Sequence, residues 1–168
     1  MSGKIGSGKS TISNYFVEKY GYRELSTSDL LKCILASKEI EINRKNLQAI
    51  GNDLIITIGG GGFMAVMLAY IPEGNYIINS IRHMEALRYM RRTYGNRFRH
   101  IFIDASIETR FKRVKKQFAD IEQFKEIDNA QTEIEIDSLK NLSDYIINND
   151  ACFDNCIIQI EKICKVIS

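Results

Sequence analysis

Apolar positions along the chain fall into two alternating rhythms. Four short runs rich in β-branched and aromatic residues, Tyr22 to Leu25, Asn75 to Asn79, His100 to Ala105 and Asp144 to Asn148, read as strands. Between them apolar residues return every three or four positions, the period of a helix with one buried face. That spacing predicts helices over Lys9 to Tyr20, Asn43 to Ile58, Gly62 to Ile71, Arg82 to Thr93, Ile107 to Phe118 and Phe153 to Ile167. In the first, Ile12, Tyr15, Phe16 and Tyr20 form a single stripe. Strand and helix in alternation imply parallel pairing with helices on both faces of the sheet, a three-layer α/β architecture. Ligands in such sheets bind beyond the carboxyl ends of the strands, so residues that follow a strand closely carry the functional argument.

Composition narrows this picture only modestly. A chain of 168 residues with one proline (Pro72) and no low-complexity linker predicts one domain over residues 1–168. A formal net charge of +2 gives no electrostatic reason to expect nucleic acid or membrane as a partner. The longest uninterrupted apolar run, Phe63 to Ile71, is about half of what a bilayer requires, and no signal-peptide core opens the chain; the expected compartment is the cytoplasm. Cys152, Cys156 and Cys164 recur at helical intervals, which fits small apolar residues on a terminal helix better than a zinc or redox site.

The strongest local signal is GKIGSGKS at Gly3 to Ser10, a full match to the phosphate-loop pattern GxxxxGK[ST]. Gly3, Gly6 and Gly8 allow a tight turn whose N–H groups, with that of Ser7, point inward, and the following helix adds its positive end. Such a cradle suits a di- or triphosphate. Lys9 is placed for the β- and γ-phosphates, the Ser10 hydroxyl for Mg²⁺, and Thr11 for the α-phosphate.

Candidates for an acceptor follow the next two strands. STSDLLK (Ser26 to Lys32) sets hydroxyls and the Asp29 carboxylate at a strand end, where Asp29 either caps a helix or orients an acceptor group. Lys32, one turn on, is either an acceptor-phosphate cation or a solvated lysine. Arg82, after the strand ending at Asn79, has the planar fork suited to gripping a phosphate.

These elements resemble a known series. STSDLLK resembles the STGDLLR element of adenylate kinase and its nucleoside monophosphate kinase relatives, and IINSIR resembles the IDGIR or DGFPR element after their third strand. NLQAIGNDL with Gly59 to Gly62, IRHMEALR, HIFIDASIETRFKRV, FKEIDNAQTE and LSDYIINND continue in an order similar to P-loop kinases related to dephospho-CoA kinase and deoxynucleoside monophosphate kinases. The resemblance spans nearly the whole chain. It implies a P-loop kinase fold using ATP and Mg²⁺. It implies Lys32 and Arg82 at the acceptor phosphate, Thr27 and Asp29 at the acceptor nucleoside, and Asn149 near the donor adenine. It further implies Arg110 and Arg113 as lid-type cations on the transferring phosphate, and a short lid at about residues 115–136 in which Asp128 and Glu133 have no assigned role.

Three departures from that family change the expectations. Only Met1 and Ser2 precede the loop, where the family has a central buried strand. The gap predicts unpaired neighbouring strands, a shortened start, or a strand supplied by another chain, with self-association as a corollary. Asn79 stands where the family carries a magnesium-water aspartate, so weaker metal binding is expected. Lys115 and Lys116 stand in the lid without an arginine between Val114 and Ile136, which removes two-pronged geometry. The resulting expectation is an ATP-dependent phosphotransferase acting on a small phosphate-bearing acceptor, with a (deoxy)nucleoside monophosphate preferred. A hydroxyl acceptor of the dephospho-CoA kind, with Asp29 as base, and a nucleotide-binding regulatory protein with impaired catalysis are the alternatives.

Overall fold

In the computed structural model, residues 1–69, 71–79, 81–129 and 131–167 are described. The side chains of Arg44, residues 131–134 and Ile167 lie outside that description, and Glu133 with them. The described elements run α1 (Lys9–Tyr20), β1 (Arg23–Ser26), α2 (Thr27–Ser37), α3 (Arg44–Leu68), β2 (Tyr76–Asn79), α4 (Met84–Tyr94), β3 (Ile101–Asp104), α5 (Ile107–Val114), α6 (Ile121–Asp128), α7 (Gln131–Asn141), β4 (Tyr145–Asn148) and α8 (Phe153–Ile167). All four predicted strands form, and they pair in parallel as β1 with β2 and β3 with β4.

Between these two pairs lies the position expected to be empty, and Met1 and Ser2 correct that expectation. Ser2 donates its N–H to Ile101 at 3.0 Å and accepts from the Ile103 N–H at 2.8 Å, while Ile81 N–H donates to the Met1 carbonyl at 3.0 Å. The Met1 amino group donates to the Ile78 carbonyl at 2.6 Å. Two residues thus join β2 to β3 beside the loop, where unpaired buried backbone groups would each cost about 1–3 kcal/mol.

Alternation along the strands divides the core. Ile77, Ile101, Ile103 and Ile147 face α1 and α8, meeting Ile12, Phe16, Cys156, Ile160 and Ile163. Ile78 faces the other way, onto Phe63, Met64 and Met67 of α3, Leu87 and Met90 of α4, and Leu139 of α7. Helices therefore cover both faces of a parallel sheet, as the periodicity predicts.

Two predicted helices, over Asn43 to Ile58 and Gly62 to Ile71, meet in α3. They join at Gly59, whose backbone (φ 68°, ψ 169°) is non-helical. Glu85 of α4 accepts from the Gly60 N–H at 2.9 Å and satisfies the break. By length and composition alone Lys45–Leu68 could cross a membrane, although no uninterrupted apolar run is that long. It packs here against α2 and α4, with Ile56 left 83% exposed. In the segment expected as a lid, α6 lies on α5 through Phe124, which is buried against Phe111 and Phe118.

Candidate active site

The site begins where the central position of the sheet turns into α1. Gly8 precedes the helix in the left-handed region (φ 96°), and a Cβ there would stand 2.2 Å from Asn149 Nδ2. Gly6 (φ 77°) has the same restriction, because a Cβ would meet the Arg110 carbonyl at 2.7 Å. The loop is closed by Lys9, whose ammonium donates to the carbonyls of Gly3 at 2.6 Å and Lys4 at 3.0 Å. The Lys9 ammonium is thereby held over the loop by the loop's own oxygens. Ser10 and Thr11 are exposed on the first turn, and Ser7 is buried with a hydroxyl that has no hydrogen-bond partner.

A polar layer supports the loop from behind. Asn149, just after β4, is buried and donates through Nδ2 to the Ser7 carbonyl at 2.7 Å. Expected near the donor adenine, it also ties its amide to the loop backbone. The Cys156 thiol, in the core of α8, donates to Asn149 Oδ1 at 3.1 Å. Arg113 donates to the Asn149 carbonyl at 2.7 Å and stands 3.4 Å from the carbonyls of Gly6 and Ser7. It is exposed and stands beside the loop.

Arg110 departs from its expected place as a lid cation. It is buried, forked onto both oxygens of Asp128, and bonded to the carbonyls of Ala105 at 3.1 Å and Ile5 at 3.3 Å. A guanidinium taken out of water needs a carboxylate partner, and Asp128 satisfies it at the expense of any phosphate contact. Burial pushes the Asp128 carboxyl up, but hydrogen bonds and charge from Arg110, with Lys4, hold it below the usual carboxylate range. Asp150, beside Asn149, is lowered to about 2 chiefly by hydrogen bonds from Ser106.

The acceptor candidates sit at the ends of β1 and β2. Thr27 and Asp29 open α2, and Asp29 pairs with Lys32 at 2.7 Å on an exposed surface. Arg82 follows the buried Ile81 in the segment between β2 and α4. The fold brings β1 and β2 side by side, with Ser26 opposite Asn79, so both candidate groups leave the same end of the sheet.

Magnesium would find a small donor set. Asn79 donates through Nδ2 to Glu24 Oε1 at 3.0 Å, which fixes the amide so that its oxygen is the free end. That Oδ1 is buried and unpartnered. An amide oxygen and a serine hydroxyl are the kinds of ligand that suit a cation keeping several of its waters. No cluster of three or more His, Cys, Asp or Glu able to hold a metal occurs among the described residues. Sequence reasoning passed over Glu24 and Lys4; a carboxylate two positions before a strand end and a lysine inside the loop were the available signals.

With a glycine loop leading from the central position of the parallel sheet into a helix that opens on Lys9, the chain has a P-loop kinase fold. The solved shikimate kinase from Bacteroides thetaiotaomicron superposes with a TM-score of 0.63 at 15% identity, covering 99% of this chain and 95% of that one. In sequence the chain is similar to a UPF0200 protein of Methanocaldococcus jannaschii, 25% identical over 177 residues, covering 99% of this chain and 88% of that protein. It is also similar to adenylate kinase isoenzyme 1 of Cyprinus carpio, 28% identical over 120 residues, covering 68% of this chain and 61% of that enzyme. No protein-family model matches.

Proposed function

We propose that this protein transfers the γ-phosphoryl group of ATP to a small phosphate-bearing acceptor, a (deoxy)nucleoside monophosphate being the preferred one, in the cytoplasm. The observation that carries the reading is the closed glycine loop, with Lys9 bonded to Gly3 and Lys4 carbonyls at the start of α1. Phosphates entering the loop would take Lys9 from those carbonyls and receive the loop N–H groups and the positive end of α1. Ser10 and Asn79 would hold Mg²⁺ and its waters, and the metal would screen phosphate charge. Arg113 would face the transferring group from the loop's outer side, and Arg82, with Thr27, Asp29 and Lys32, would align the acceptor. A phosphate acceptor is already ionised at neutral pH, so alignment and charge screening suffice.

A second reading, nucleotide-dependent regulation without turnover, draws support from Asn79 in place of a carboxylate. The deciding experiment is calorimetric titration of the chain with a non-hydrolysable ATP analogue and Mg²⁺, repeated on Lys9→Ala, followed by an acceptor screen. Binding lost in the variant and turnover of a monophosphate support the kinase. Binding without turnover of any acceptor favours regulation, and absence of binding by folded wild-type chain removes both.

A further inference from the structure

Behind the loop, a carboxylate that the phosphoryl-transfer chemistry does not use is buried between two cations. Asp128 ends α6, where the helix dipole opposes a negative charge, and it is 4% exposed. Helix capping therefore does not account for it. Arg110 engages both its oxygens, at 2.8 Å on the Oδ2 side, and Lys4 Nζ lies 3.6 Å from Oδ2. Lys4 is also held by Asp137 of α7 at 2.9 Å.

Both cations reach into the phosphate loop. Lys4 is a loop residue whose carbonyl accepts from Lys9 Nζ at 3.0 Å and from the Ser7 N–H at 3.2 Å. Arg110 donates to the carbonyl of Ile5, the next loop residue, and its own carbonyl sits against Gly6. Asp128 thus fixes the two side chains that fix loop residues 4 to 6. Phe124, one turn earlier on α6, packs its ring 5.5 Å from the Arg110 guanidinium and closes the pair from water.

We infer that Asp128 is a positioning residue for nucleotide binding: through Arg110 and Lys4 it holds the first half of the phosphate loop in its triphosphate-receiving shape, so that the α6–α7 segment sets the loop's affinity. The inference rests on the phosphate-loop reading above. A carboxylate with this role also neutralises two cations that would otherwise bind phosphates in an unproductive position behind the loop. Loss of its charge alone, with its shape retained, weakens the hold on both, Lys4 keeping Asp137 and Arg110 keeping the Ala105 and Ile5 carbonyls.

The test measures affinity for a fluorescent non-hydrolysable ATP analogue with Mg²⁺ on the full chain, together with thermal melting. The variants are Asp128→Asn, Lys4→Met, the two combined, Arg110→Lys and Lys9→Ala. Asp128→Asn and Lys4→Met are each expected to weaken binding by about tenfold per folded molecule, with the double variant losing clearly less than the product. Arg110→Lys keeps the charge but loses the fork, and is expected to weaken binding as well. If Asp128→Asn and Lys4→Met melt earlier yet bind the analogue as wild type does, the cluster only holds the fold together and the inference is overturned. If Asp128→Asn fails to fold, Lys4→Met decides: a weakened affinity supports the inference and an unchanged one overturns it. Wild type indistinguishable from Lys9→Ala overturns the phosphate-loop reading itself, an outcome separate from unchanged binding in the Asp128 variant.

Discussion

Asn149 donates its side-chain amide to the carbonyl of Ser7 at 2.7 Å, joining residues 142 positions apart in the chain. The contact ties the end of β4 to the middle of the phosphate loop, and Cys156 and Arg113 hold the asparagine in place from either side. Asn149→Ala is expected to leave the Ser7 carbonyl with only the longer bond from Arg113 at 3.4 Å, lowering stability by about 1 kcal/mol. It is also expected to weaken nucleotide binding, and melting with analogue titration on one preparation separates the two effects.

Gly8 tests the same contact from the other side. Gly8→Ala forces a side chain into a left-handed backbone and against Asn149 Nδ2. Binding of the ATP analogue is expected to be lost, with a strain of about 1–3 kcal/mol in the fold. Adding Asn149→Ala removes the collision and leaves the backbone strain, so partial recovery of stability without recovery of binding is the expected result.

Asn79 and Glu24 form a pair that a simple reversion to aspartate would break. Asn79→Asp places a second carboxylate 3.0 Å from the first, so the single variant is expected to melt earlier. Glu24→Gln combined with Asn79→Asp restores one charge and one amide, and is expected to bind the analogue more tightly in Mg²⁺ than wild type does. Equal Mg²⁺ dependence in wild type and the double variant would mean that Asn79 does not face the metal.

Asp29 distinguishes the acceptor classes. Its ion pair with Lys32 is exposed, so Asp29→Asn is expected to change stability by less than about 1 kcal/mol. With a monophosphate acceptor the variant should raise KM more than it lowers kcat. With a hydroxyl acceptor, where Asp29 would take the proton, kcat should nearly vanish; a loss under about tenfold would exclude it as the base.

His100 predicts acid sensitivity. It is fully buried at the start of β3, Nε2 is 2.8 Å from Ser2 Oγ, and Nδ1 has no partner. Burial first, then the charge of the nearby amino terminus, lowers its pKa to about 4 from an ordinary 6.5. The unfolded chain therefore binds a proton between those values and the folded chain does not, so stability is full above about pH 6.5 and falls as the pH drops toward 4. Denaturant midpoints measured across that interval should decline in wild type and decline less in His100→Gln.

The layered plan was legible because it is written in local periods. Ile77 and Ile78, adjacent on β2, face opposite cores, so the strand reads as an unbroken apolar run, the mark of a parallel sheet covered on both faces. The phosphate loop was legible for a similar reason: glycines, Lys9 and Ser10 must lie at fixed spacing to build one turn before one helix. Helices α6 and α7 were passed over as separate elements, because α6 is short and α7 carries a weak apolar stripe. Their order comes from packing on α5 and α4 rather than from propensity.

Long-range pairing was the part no local pattern carries. Sequence placed Arg110 and Arg113 on one helical face and treated them alike; the fold buries one against Asp128 and leaves the other beside Ser7 and Asn149. The bond from the Asn149 amide into the loop was likewise beyond a linear reading, as was the bridging of the gap before the loop by Met1 and Ser2. By itself the sequence determined the alternating elements, the layers they build and the glycine loop with Lys9 and Ser10 behind it, since each depends on residues within a few positions of one another. Only the tertiary structure decided which charges meet and which remain at the site, because the partner of a buried charge is chosen by where remote segments pack.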